Sequence, residues 1–145
     1  MYITEHFTLE ELTVSQTAAR EDINNEPTGI VMDNLIRLAS FLEEVRTLLG
    51  GKPMLISSGY RSPELNARVG GSSKSQHCFG CAVDFTVNKM AVEQVVATIV
   101  TSKLNYDQCI QEYNRWIHLS IPSSISSKPR RMALIIDRKG TRSFA

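Results

Sequence analysis

Three side chains in this sequence sit where polar groups need a reason to be. The segment Ser75-Gln76-His77-Cys78-Phe79-Gly80-Cys81-Ala82-Val83-Asp84 joins a histidine in a glycine-containing loop to an aspartate inside an apolar run. A charge flanked by Val83 and Phe85 in a strand core is costly unless it is paired or bound to a metal. Further on, Trp116-Ile117-His118-Leu119-Ser120 alternates, so His118 shares a face with Trp116 and Ser120 while Ile117 and Leu119 turn to the core. Two imidazoles and one carboxylate suit catalytic zinc, which takes three protein ligands and keeps a position for water. Zinc acidifies that water, and a nearby carboxylate must then accept its proton. Glu112 is the candidate acceptor. It ends the preceding strand on the face of Gln108 and Ile110, and a tight turn at Tyr113-Asn114-Arg115 brings it beside the Trp116–His118 strand. Taken singly, each residue has a plainer reading: a hydrogen-bonded strand histidine, an aspartate paired with Arg61, a solvated strand-end glutamate. The combination is harder to dismiss, because the chain has 3 histidines and His77 and His118 both fall in these segments. His6, in a polar N-terminal stretch, reads as structural or surface.

The elements that must position these groups are legible in part. Thr8 and Glu11 form a capping box, with Phe7 and Leu12 at the staple positions, so a short helix follows and continues less regularly through Ala18 and Ala19. Pro27 and Gly29 open a longer helix whose Val31, Leu35, Leu38, Leu42, Val45 and Leu49 form one apolar stripe, ended by Gly50 and Gly51. Met54 to Ile56 read as a buried strand, and Ser62-Pro63-Glu64 starts a brief helix. Gly70-Gly71-Ser72-Ser73 is a flexible loop. Strands are expected over 81–87, 106–112 and 116–121, a helix over 90–102 with Val92, Val95, Val96 and Ile99 inward, and a loop-like stretch from Pro122 to Pro129. Met132 to Ile136 pairs with Thr141 to Phe144 in a terminal hairpin, about 129–145, expected to be peripheral. Helices first and mostly antiparallel strands later describe a single α+β domain over 1–145.

The pattern Ser-x-His-x-x-Gly-x-Ala-x-Asp, at Ser75, His77, Gly80, Ala82 and Asp84, resembles the signature of the zinc D-Ala-D-Ala carboxypeptidase family. That family is similar to phage L-alanyl-D-glutamate endolysins, vancomycin-resistance dipeptidases and the hedgehog signalling domain. Ser57-Ser58-Gly59-Tyr60-Arg61-Ser62-Pro63 resembles its arginine motif, and Trp116-Ile117-His118-Leu119-Ser120 the segment bearing its last ligand. Phe7-Thr8-Leu9-Glu10-Glu11-Leu12 looks like the compact phage and prophage branch. The resemblance implies a hedgehog/DD-peptidase-like α+β fold, a mostly antiparallel sheet with helices packed on one face. It implies Zn2+ held by His77, Asp84 and His118. Arg61 would be catalytic, steadying an oxyanion, or would bind a substrate carboxylate, tasks its planar fork suits. Ser75 and Trp116 would contact substrate, and Glu112 would be the base. Some members carry an acidic base three residues before the last histidine. Here that position is Arg115, which cannot accept a proton, so Glu112 stands as the base with Asp107 as the fallback.

The implied activity is a zinc metallopeptidase hydrolysing peptidoglycan stem peptides, either as a D-Ala-D-Ala carboxypeptidase or as an L-Ala-D-Glu endopeptidase. The rival reading is a zinc-containing non-catalytic binding or virion structural module of the same fold, since fold and metal alone do not prove catalysis. Composition excludes little: 42% hydrophobic and 21% charged residues are ordinary for a globular chain, and a net charge of +1 gives no support for a polyanion binder. Arg130, Arg131, Arg138, Lys139 and Arg142 make the terminal hairpin basic, which reads as a solvated face; no nucleic-acid partner is expected. The 3 cysteines, Cys78, Cys81 and Cys109, argue against a disulfide framework and for a reducing compartment. Cys78 and Cys81 have Cys-x-x-Cys spacing, but small half-buried side chains around a metal loop is the better reading. The chain starts without a signal-peptide pattern and has no membrane-spanning run, so the expectation is cytoplasmic synthesis, no membrane insertion, a monomer, and action at the cell wall after phage-type release or as part of a virion.

Overall fold

The computed structural model describes residues 1–144; Ala145 lies outside the described residues. Its elements run α1 Leu9–Thr13, α2 Gln16–Arg20, α3 Ile30–Leu48, β1 Met54–Ser58, α4 Pro63–Arg68, a 3-10 turn Gln76–Phe79, β2 Ala82–Val87, α5 Val92–Val100, β3 Gln108–Glu112, β4 Trp116–Ser120, β5 Met132–Asp137 and β6 Gly140–Ser143. The capping box at Thr8 and Glu11 is formed as its sequence requires. The chain does not continue that helix into Ala18: Val14 is extended, and Ser15 caps a separate helix by accepting from the Ala18 N–H. On α3, Leu35, Leu38, Leu42 and Val45 are fully buried, so the stripe is the core face. Deleting one such side chain costs roughly 2–5 kcal/mol, against about 1 kcal/mol for a cap. Packing of this face therefore dominates the helix's placement.

The six strands form one sheet in the order β1-β2-β4-β3-β5-β6. All pairings are antiparallel except β3 with β5. Strand alternation sorts the side chains cleanly. Val83 and Phe85 of β2, Cys109 of β3, and Ile117 and Leu119 of β4 are fully buried and join α3 and α5 in one core. Asp84, His118, Ile110 and Leu134 point to the other face, aligned across the sheet by the registers Asp84↔His118, Ile110↔His118 and Ile110↔Leu134. The fold is thus the α+β arrangement expected, with helices on one face and the polar anomalies on the other.

Two departures have physical causes. The terminal hairpin, expected at the periphery, is the outer edge of the sheet, but β5 pairs in parallel with β3 and lends Leu134 and Ile136 to a cleft on the polar face. β3 begins at Gln108 rather than at residue 106, because Asp107 turns its side chain away to hold the segment that leads into β5. Asp107 is 3% exposed and accepts from the Arg130 backbone N–H, from the Arg130 guanidinium at 2.6 and 3.1 Å, and from the Gln76 amide at 3.0 Å. Burial would raise this carboxyl, but those bonds, Arg130's foremost, hold it below the ordinary value. A depressed folded value stabilises above the unfolded value and is lost as pH falls through the folded one. Asp107→Asn should therefore cost about 1–3 kcal/mol at neutral pH. The gap from the parent protein should shrink once the pH drops below about 3.9. Denaturant titrations from pH 7 to pH 2 check this; a gap that stays constant in acid would assign the loss to packing instead of charge.

Candidate metal centre

His77 is held by its neighbours before any ion is considered. The Ser75 hydroxyl caps the 3-10 turn by accepting from the His77 N–H at 3.2 Å, and Gly80 closes it in the left-handed region at φ 74°. A Cβ on Gly80 would lie 2.9 Å from the Val31 carbonyl oxygen, so only glycine suits both the angle and the space. The His77 ring is 3% exposed, and its Nδ1 donates to the Gly59 carbonyl at 2.8 Å. That bond places the proton on Nδ1 and leaves the Nε2 lone pair for the cleft, as metal-ligating histidines are commonly arranged. Gly59 must be glycine for a separate reason, because a Cβ there would overlap the Leu12 carbonyl.

Asp84 and His118 arrive by sheet register. They are cross-strand partners on β2 and β4, which puts both side chains on the same face in contact range. His118 Nδ1 lies 3.0 Å from Asp84 Oδ1, and His77 Nε2 lies 3.4 Å from the same oxygen. The two rings meet edge to face with centroids 5.1 Å apart. The donor atoms of all three residues fall within 4.8 Å of one another. Tetrahedral zinc with bonds of roughly 2.0–2.1 Å needs donors about 3.3 Å apart, and the 3.0 and 3.4 Å separations to Asp84 suit such an ion. Burial would push the Asp84 carboxyl up, but the His118 and His77 imidazoles hold it well below the usual carboxylate range. Asp84 is therefore disposed to stay ionised, an anionic donor beside two imidazole nitrogens.

The surrounding cleft has a volume of about 850 Å³. Glu112 lines it, directly across from Trp116 and two residues along the ladder from the Ile110↔His118 pair. Burial and the Asp84 charge raise the Glu112 carboxyl, opposed by His118, by the Trp116 indole and by Arg61. A half-buried carboxyl raised in this way holds a proton more readily than an exposed glutamate does. Arg61 also lines the cleft; its guanidinium donates to the Ser75 hydroxyl at 3.4 Å, and its Nε is buried without a partner. Ser75 is thus occupied by His77 and Arg61. The Trp116 indole N–H is buried and makes no well-formed hydrogen bond, although it is near enough to Glu112 to hold that carboxyl down.

Asp107, the fallback base, is excluded by its position: both oxygens are used by Arg130 and Gln76, and by strand parity it faces away from the cleft. Cys78 and Cys81 are free thiols that burial pushes up, and neither joins the metal-capable group among the described residues. Sequence reasoning did not single out Gln76, which lines the cleft and ties the 3-10 turn to Asp107 and to the Ile121 carbonyl, nor Arg130, Leu134 and Ile136 on the cleft's far wall. Gln76 stands inside the histidine signature, which was its one available signal; the far wall depends on a parallel pairing between segments distant in sequence.

Residues 5–120 match the family model described as Peptidase M15. A 43-residue stretch is 42% identical to the zinc D-Ala-D-Ala carboxypeptidase of Streptomyces albus G, covering 30% of this chain and 17% of that relative. The matched stretch is therefore well under two thirds of the relative's length. A ligand that binds only the folded state stabilises it in proportion to its affinity. Zinc should raise the melting temperature of the parent protein and a chelator should reverse the rise, while His118→Ala should show neither effect and retain less metal in elemental analysis. An equal zinc-dependent shift in His118→Ala would place the ion elsewhere.

Proposed function

The chain belongs to the peptidase M15 family, and from that premise we propose that it is a zinc metallopeptidase acting on bacterial peptidoglycan stem peptides. The observation that supports it most directly is the convergence of His77, Asp84 and His118 beside Glu112 in one cleft. In this reading those three residues hold zinc, and the family match and the name of the carboxypeptidase relative favour that metal. Zinc bound there supplies Lewis acidity toward a carbonyl oxygen and makes a nearby water more acidic.

The chain's own residues supply the rest. Glu112 takes the proton from the attacking water at its carboxylate and later gives it to the leaving amine nitrogen. Its raised pKa makes the return of that proton less costly than it would be for an exposed glutamate. Arg61, with its planar guanidinium, faces the carbonyl oxygen as negative charge develops, or a substrate carboxylate. Ser75 orients the guanidinium and the His77 backbone together. The Trp116 ring borders the substrate path. His77 keeps its lone pair aimed inward because Gly59 holds the other ring nitrogen.

Two bonds remain open to such a cleft, D-Ala-D-Ala and L-Ala-D-Glu. The named relative favours the first, and the resemblance of Phe7 to Leu12 to the phage and prophage branch favours the second, with lysis or a virion as its setting. The proposal includes action as a monomer formed by one domain. Mass spectrometry of muropeptides after digestion reads the bond directly, and new termini are expected at one of the two positions. Intact muropeptides from zinc-loaded protein across a range of pH would favour the non-catalytic module instead. Glu112→Gln should lower kcat by roughly 100- to 10,000-fold while the zinc content stays unchanged. A variant that keeps full turnover would remove Glu112 from the proton path.

A further inference from the structure

A second concave surface adjoins the cleft and has no part in the chemistry above. It is a groove of about 640 Å³ at the tip of the β3–β4 and β5–β6 turns. Gln111 of β3 and Ile135 of β5 line it, and by strand parity these point to the face opposite Glu112 and Ile136. The groove therefore wraps around the sheet's end from the cleft. Trp116 and Tyr113 line both spaces and so form the passage between them.

The chemistry of this groove is cationic and aromatic. Arg115, Arg138 and Lys139 line it, all exposed, and none forms an ion pair among the described residues. The one acid in the lining, Asp137, is already neutralised by Arg142 at 2.8 and 3.0 Å. Tyr113 is 46% exposed and packs against Trp116 with ring centroids 5.8 Å apart. Its backbone is in the left-handed region at φ 53°, followed by Asn114 at φ 51°. That geometry suits a two-residue hairpin turn but is strained for a bulky residue, so the ring is held in place by the strand pairing on either side. Two polar atoms of the lining are buried without partners, the Gln111 amide oxygen and the Trp116 indole N–H.

We infer that this groove is an acidic-peptide subsite. The part of the substrate peptide beyond the bond being cut passes over Trp116 and Tyr113, and its free carboxylates meet Arg115, Arg138 and Lys139. The inference rests on the proposed peptidase reading and gives it a specificity: stem peptides with free carboxylates over amidated ones. Charge complementarity and continuity with the cleft select this occupant. Arg115, which stands where some relatives of the resembled family carry an acid, contributes to this groove and takes no part in the proton path.

The test uses the single tryptophan of the chain. Trp116 lies at the passage, so its fluorescence reports occupancy without turnover. Zinc-loaded Glu112→Gln protein is titrated with a stem tetrapeptide bearing free carboxylates and with the same peptide fully amidated. The acidic peptide is expected to bind more tightly, with an advantage that falls as salt is raised. Adding Arg138→Gln and Lys139→Gln should weaken the acidic peptide by roughly tenfold and leave the amidated one unaffected. Equal affinity for both peptides, or equal loss for both in the charge variants, would overturn the subsite. Failure of the acidic peptide to bind would overturn it too. Muropeptide digestion by the unmutated protein then separates the two readings, because cleavage without this preference removes the groove alone, while absence of cleavage removes the peptidase reading.

Discussion

A desolvated carboxylate in the middle of a sheet is the constraint on which this molecule turns. Asp84 lies between Val83 and Phe85, both fully buried, and its own side chain is only 16% exposed. Left alone there, it would take up a proton and lose its charge. It stays ionised because His118 approaches from the neighbouring strand and His77 from the turn before it. The Asp84↔His118 register is therefore a condition for the site as well as a detail of the sheet. A slip by one residue would send either side chain into the helix-covered face, where Val83, Phe85, Ile117 and Leu119 already fill the space. The same alternation that buries the core thus fixes the polar centre on the opposite side.

His77 has no strand to aim it, so its support comes from short-range contacts of several kinds. The Ser75 cap, the left-handed Gly80 and the Gly59 carbonyl each restrict a different freedom: the turn's start, its end and the ring's rotation. Gln76 connects this turn to Asp107, and Asp107 holds Arg130, so the loop that bears His77 and the segment that enters β5 are joined through one buried carboxylate. An acid that faces away from the chemistry still governs how the cleft's two walls stand relative to each other. Such buried networks reward complete satisfaction and penalise any missing partner.

What the sequence made legible follows the range of the interactions involved. Asp84 and His118 could be found because a polar residue at an apolar strand position violates a period-two pattern visible over a few residues. The α3 stripe and the Thr8–Glu11 box were equally local. Glu112 was within reach because a tight turn fixes its register against Trp116. The role of Asp107 was not, since nothing near it announces Arg130, 23 residues away. The parallel β3–β5 pairing was also hidden: a parallel neighbour needs a long connection, which here runs through β4, and the stretch from 122 to 131 that leads into β5 carries no periodic signal. Arg138 and Lys139 looked like a solvated hairpin face because their shared position with Arg115 exists only once that pairing is made.

The placement of Arg115 and Glu112 shows how a turn can divide labour between neighbours. The Arg115 N–H bonds back to the Glu112 carbonyl, so the two residues bracket the β3–β4 turn. Glu112 belongs to the sheet, opposite Trp116, and points over the metal-capable trio. Arg115 belongs to the tip, exposed and outside the ladder. Only the former is desolvated and close enough for the Asp84 charge to act on it. A proton acceptor needs both conditions, burial to bring its pKa toward the working range and proximity to the centre where the proton is released. In the proposed mechanism Glu112 is given both by its register in the ladder, and the turn position is left free to carry a cation.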